Sequence, residues 1–202
     1  MSLNNQQLLK SLDTGDILLV KYGTIYNYMR SFVIDKYDSV LLINRNGNDI
    51  YYIDIMDRGR KNIRPISEFI EIAKLGFYHS IKYRKLNYPN YNVLPGSTIH
   101  RFKTIKSMIG ELFQNESYTD LYQYVVRTFD MFPRNERRLS ALLICAVYYN
   151  CNLIHECDWN EVSPNDFDSS NNLSTLRFVK PKYTAMCDYD GFYGVNIMYN
   201  CN

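Results

Sequence analysis

The sequence has 202 residues, 46% of them hydrophobic and 22% charged, which suits one globular domain (1–202) with a real core. The net charge of +2 comes without a basic stripe, which excludes a phosphate-tracking nucleic-acid surface; the densest basic cluster, Arg58, Arg60, Lys61 and Arg64, reads as a solvated loop rather than an anion site. No apolar stretch approaches the ~20 residues of a membrane span, and the start, "MSLNNQQLLKSLDTG", lacks a charged region followed by an apolar run, so an intracellular protein without integral membrane contact is expected.

In chain order, "NNQQLLKSL" reads as a short amphipathic helix. Thr14-Gly15-Asp16 is a turn leading into a strand over 17–21. "TIYNYMRSFV" is ambiguous and compatible with a short helix. "DSVLLINRNGNDIYYIDI" is the clearest hairpin, with apolar runs Val40–Ile43 and Ile50–Ile55 flanking a turn at Asn46-Gly47-Asn48. "IRPISEFIEIAK" predicts a strand end and then a helix with Ser67 as its N-cap. "FYHSIKYRKLN" predicts a strand, "YPNYNVLPGSTIHRF" a loop, and "TIKSMIGELFQ" the start of a helix breaking near Asn115.

"RNERRLSALLICAVYYNCNLI" carries the strongest helix signal. Leu139, Leu142, Leu143, Ala146, Val147 and Cys151 recur at helical spacing and predict one apolar face. "VSPNDFDSS" is a loop or short turn, and "RFVKPKY" and "GVNIMYN" are candidate strands. Strands first and a core helix late predict an α+β fold rather than alternating βαβ units.

Two compositional features bear on function. Tyrosine is abundant, with 19 residues, and Asn, Ile and Lys are frequent too; this fits AT-rich codons, a Tyr-rich assembly surface, or both. Tyr26, Tyr28 and Tyr37, and the tail residues Phe192, Val195, Ile197, Met198 and Tyr199, are candidate contact surfaces, with ordinary packing as the plainer alternative. All five cysteines, Cys145, Cys151, Cys157, Cys187 and Cys201, follow residue 140. An odd count without a secretion signal predicts reduced thiols. Spacing of six residues is not that of metal ligands, even with His155 nearby, so no metal or other cofactor is expected. The sequons at Asn115 and Asn172 carry little weight without secretion.

Several segments together resemble the circularly permuted papain-like cysteine hydrolases, the permuted NlpC-type group, which has viral members. The family's opening "tGDiil" is matched by "TGDILLV". Its strand beginning His-Val-Gly-Ile, second strand and "GVr..PL.eF" segment are matched by "DSVLLINRNGNDIYYIDIMDRGRKNIRPISEF". Its helix "CSeLVa..y...Gl" and following "sPadf" are matched by "SALLICAVYYNCNLI" and "VSPNDF". The matches keep their order over residues 12–170, leaving 171–202 as a C-terminal extension. The resemblance implies a papain-like permuted fold, a small antiparallel sheet or half-barrel packed on a core helix.

The resemblance also implies three site positions. The nucleophilic cysteine at the start of the late helix, where a helix N-terminus favours a thiolate, falls on Ser140. The histidine falls on Ser39, and the polar residue that orients it falls on Asp54. Both the cysteine and the histidine are therefore replaced. A serine without a base is a poor nucleophile, and losing such a constellation removes most of its ~10⁶-fold contribution to turnover. Cys145 and Cys151 read as core residues.

The reading is a degenerate member of the family with a structural or binding role, expected to be a virion or capsid-associated component of a large DNA virus, with a protein partner or self-assembly. A vestigial cleft around Ser140 and Ser39 holding a peptide or lipid is a related reading. The alternative is an active amide or ester hydrolase or acyltransferase with a displaced base drawn from His79, His100 or His155.

Overall fold

The computed structural model describes residues 2–3, 9–23, 36–56, 60–86, 136–150, 154–159, 161–168, 176–178, 188–193 and 196–200, and the side chains of most of these. The fold is α+β. Its centre is an eight-stranded antiparallel sheet built from β1 (Ser2–Leu3), β2 (Ile17–Tyr22), β3 (Ser39–Asn46), β4 (Asp49–Met56), β5 (Arg60–Pro65), β6 (Tyr78–Arg84), β9 (Asp188–Tyr193) and β10 (Asn196–Asn200). The strand order is β1-β10-β9-β6-β2-β3-β4-β5. Between β6 and β9 in sequence lie β7 (Ile154–Cys157) and β8 (Leu176–Phe178), which pair with each other in a small second sheet.

The expected hairpin is present, with Ile43 opposite Tyr52 and Asn46 opposite Asp49. Gly47 turns it at φ 62°, a region open to glycine at little cost. Gly15, at φ 96°, serves the turn before β2 in the same way. That turn is tied down by hydrogen bonds to buried Asp16, whose carboxylate accepts the backbone N–H groups of Asp13 and Leu86, each at 2.8 Å, and the Tyr83 hydroxyl. Burial pushes the Asp16 carboxyl up to about 6 against the pull of these donors. Thr14 Oγ1 accepts the Arg45 N–H at 2.9 Å, and Arg45 caps the helical turn at residues 9–11 through the Leu9 and Leu12 carbonyls. The "TGD" signature is therefore a structural joint.

Alternation along the strands gives the sheet two apolar faces. Leu18, Val20, Leu41, Ile43, Tyr52 and Tyr83 form one cluster with Phe69 and Ala73 of helix α1 (Ile66–Lys74). The other face, with Leu19, Val40, Leu42 and Ile53, meets helix α2 (Glu136–Asn150), which packs against β3 and β4. Both faces of these strands are dry, so their sequences read as continuous apolar runs.

Five sequence expectations are corrected. Arg60, Lys61 and Arg64 of the basic cluster lie in strand β5, paired with β4, and not in a loop. Ser67 is not an N-cap: Pro65 holds the cap position in extended geometry at φ −67°, no side chain caps the helix, and Ser67 lies exposed in its first turn. Helix α2 ends at Asn150, and Ile154 already belongs to β7. Its burial is not confined to one face, because every residue from Ser140 to Tyr148 is buried. The sheet covers one side, and β7 and a 3₁₀ turn over Pro164–Phe167 also pack on the helix, so a 3.6-residue stripe understates the apolar surface it needs. Tyr37 is buried, so it offers no contact surface.

The segments at 24–35, 87–135 and 179–187 lie outside the described residues, and with them Tyr26, Tyr28, His100, the loop at 88–102 and the helix predicted after it. The tail does more than extend the core. Strands β9 and β10 join the main sheet between β6 and β1, in the register Lys82 to Asp190 and Met198 to Ser2.

Candidate functional site

Ser140 is the fifth residue of α2, beyond the free N–H groups of the first turn, so the helix end that would favour a thiolate is not at its side chain. Its hydroxyl has a structural task. The β3–β4 ladder begins at Leu42 opposite Ile53, while the β4–β5 ladder continues to Met56 opposite Arg60. Strands β3 and β4 thus part beyond Leu42. In that gap the Val40 N–H donates to Ser140 Oγ at 3.1 Å. The side chain replaces a carbonyl that a continued ladder would have offered. Ser140→Ala is expected to cost about 1–3 kcal/mol, because the buried Val40 N–H loses its acceptor. Urea denaturation checks this, and a loss near zero would show that Val40 finds another.

Ser39 and Asp54 face away from α2. The two-residue period places Ser39 with Leu41 and Ile43, and Asp54 with Tyr52, on the α1 side of the sheet. The structure therefore brings Ser140 against the β3 backbone but puts the two other positions on the opposite face. Both are buried; among the described residues Asp54 Oδ1 has no hydrogen-bond partner, and Ser39 lies beside the Tyr22 phenol. Burial, eased by the Arg64 guanidinium, pushes the Asp54 carboxyl up to about 7.

The surroundings are aromatic. Burial above all, then the Asp54 charge, raises the Tyr22 phenol well above its usual range, and the Tyr52 phenol is pushed up to about 12 by the same two causes. Tyr78 stacks on Phe69 at 5.0 Å between ring centroids and lies 5.7 Å from Tyr22. Sequence reasoning missed this tyrosine cage around Asp54. The signal available was period-two alternation of Tyr52 with Asp54, and it gave no partner from β2 or β6.

Among the described histidine side chains, His79 is exposed on β6, with β2 between it and β3, a separation of two strand spacings or ~10 Å. His155 lies on β7, its side chain outside the described residues. Cys145 is fully buried in α2, and burial first, then Cys157, pushes its thiol well up. Cys151 lies outside the described residues. No group of three or more His, Cys, Asp or Glu among the described residues could hold a metal ion, and no described helix is long and apolar enough to cross a membrane.

A surface cavity of about 370 Å³ opens beside the β3–β4 turn, lined in part by Lys10, Arg45, Asp49, Ile50 and Ser67. It lies at the other end of the hairpin from Ser39 and Asp54, so it is not the cleft that the papain-like resemblance implies.

A second polar constellation closes the α2 side. Asp168, buried just after the 3₁₀ turn, accepts Lys82 of β6 at 2.8 Å and Lys36 at 2.5 Å. Asn165 Oδ1 accepts the Tyr37 N–H at 3.0 Å. Ser163 and Asp166 form a reciprocal capping box at the start of the turn, so "SPNDFD" is a staple joining α2, β6 and the approach to β3. Compared with protein-family models, with curated proteins and with solved structures, the chain matches none.

Proposed function

We propose that this chain is a catalytically inactive protein of permuted papain-like fold with a structural or binding role, as a virion or capsid-associated component of a large DNA virus, acting through a protein partner or self-assembly. The observation that carries the loss of catalysis is the Ser140 hydroxyl, held by the Val40 amide while Ser39 and Asp54 project from the other face of the sheet. A serine nucleophile needs a base within hydrogen-bond reach, and neither of those side chains offers one across the sheet. The viral and virion parts of the reading rest on the sequence resemblance and on the Tyr-, Asn-, Ile- and Lys-rich composition.

One observation favours the alternative, an amide or ester hydrolase or acyltransferase with a displaced base. Asp54, with its carboxyl near 7, has the proton affinity of a general acid–base group at neutral pH. Covalent probes separate the two readings. Native protein treated with a fluorophosphonate is expected to leave Ser140 unmodified. Iodoacetamide at pH 6 is expected to leave Cys145 unlabelled over a period in which the urea-unfolded chain is alkylated at neutral pH, because only a thiolate reacts and burial disfavours it here. A Ser140 adduct, or any cysteine labelled rapidly at pH 6, overturns the inactive reading.

A further inference from the structure

We infer that Cys145 and Cys157 form a latent disulfide site, a reversible covalent clamp between helix α2 and strand β7 that closes on exposure to low-molecular-weight disulfides. Both cysteines are free thiols, and Cys157 is near enough to Cys145 to help burial raise its thiol, on two elements that pack against each other. One sits in the middle of a rigid buried helix and one on a paired strand. Their proximity is thus held by the fold and does not wait on a chance encounter. Their accessibilities differ in a useful way: Cys145 is sealed in the core, whereas Cys157 is half-buried. A site with one reachable thiol and one concealed beside it suits stepwise exchange, with the reachable sulfur as the entry point.

The steps balance. The Cys157 thiol loses its proton, and the thiolate attacks one sulfur of a small disulfide RSSR. The S–S bond of RSSR breaks, one RS⁻ leaves, and a Cys157–S–S–R mixed disulfide forms. The Cys145 thiol then loses its proton and attacks the Cys157 sulfur, expelling the second RS⁻. The two protons released by the protein end on the two RS⁻ groups. The protein dithiol is oxidised to a disulfide as RSSR is reduced to two RSH. Burial opposes ionisation of Cys145, so the second step sets the pace and quickens as pH rises. No other oxidant is needed.

The clamp would close a loop from residue 145 to residue 157 that contains the third nearby cysteine, Cys151. A loop of this size restricts the unfolded chain enough to raise Tm by roughly 5–10 °C in a protein of this length.

The test is to incubate the native full-length chain with excess oxidised glutathione at pH 8, block the remaining thiols, and map cross-links without reduction. Trypsin leaves Cys145, Cys151 and Cys157 in one peptide, 139–177, so cleavage after Tyr149 by chymotrypsin and after Glu156 by Glu-C is used. The expected product joins the Cys145 and Cys157 peptides, with the rise in Tm reversed by dithiothreitol. Cys157→Ser is expected to abolish both, and Cys151→Ser to retain both. Recovery of Cys145 as a free thiol beside a glutathionylated Cys157, or a dominant cross-link through Cys151, Cys187 or Cys201, overturns the assignment. Because Cys157 lies outside the deep core, its variant reports on the clamp even if Cys145→Ser fails to fold.

Discussion

Asp168→Ala is expected to destabilise the protein by about 3–5 kcal/mol, more than any other single change considered. The carboxylate is fully buried and is held from two sides, by Lys82 at 2.8 Å and Lys36 at 2.5 Å. The two partners are not equivalent. The Lys36 side chain is 55% exposed, so water screens it and it contributes little. The Lys82 side chain is only 6% exposed, and removing Asp168 takes from its buried ammonium a carboxylate at 2.8 Å that offsets part of its desolvation. The same change releases the 3₁₀ turn from β6. Equilibrium urea unfolding at pH 7 measures the loss. The double variant Lys82→Met, Asp168→Leu is expected to recover much of it, since it removes both charges together. A loss below about 1 kcal/mol for Asp168→Ala would mean that Lys82 reaches water once the carboxylate is gone.

The second large effect concerns pH. Asp54 is buried, Oδ1 has no hydrogen-bond partner among the described residues, and its carboxyl lies near 7 instead of near 3.8. The folded state therefore binds this proton more tightly than the unfolded chain does. Between pH 4 and pH 7 the native state holds more protons, so stability falls as pH rises through that window. The full span is on the order of 4 kcal/mol for a shift of this size. The sign is opposite to that of a salt-bridged carboxylate, whose stabilisation is lost on acidification. Asp54→Asn removes the titration while keeping the shape. It is expected to be more stable than the parent at pH 8 and to lose that advantage by pH 5. Asp16, pushed up to about 6, acts in the same direction in both proteins and cancels in the difference. A pH-independent difference between parent and variant would show that Asp54 is solvated.

What could be read from the sequence follows from the range of each interaction. The β3–β4 hairpin was legible because its signal is local: alternating apolar runs around a glycine that must adopt positive φ. The existence of α2 was legible from its apolar density, but its burial on all sides was not, because the elements that cover it come from elsewhere in the chain. Cys145 was legible as a core residue for the same reason of density. The Asp168 staple was not legible, since Lys82 and Lys36 stand 86 and 132 residues away and nothing local pairs them. At the candidate site, the three positions could be named by resemblance, yet their orientation could not. Whether Ser39 or Val40 faces the helix is a parity question, and a shift of one residue reverses it. Strand β9 went unnoticed because Asp188, Asp190 and Gly191 weaken any strand pattern there.

The place of β9 in the sheet also sets an order for biosynthesis. Strand β6 is complete by residue 84, but its second neighbour is not made until residues 188–193. A nascent chain that pairs β2 with β6 before residues 188–193 are made carries a β6 edge that still awaits the strand it pairs with in the finished sheet. Such an edge is a template for pairing with another chain. It also holds Lys82 and Arg84, buried in the finished protein, and Asp168 arrives late as well. Until then Lys82 places a charge on that edge before Asp168 is available to it, a feature that discourages premature sheet-to-sheet contact. The ion that stabilises the mature fold is thus also a guard for the unfinished one.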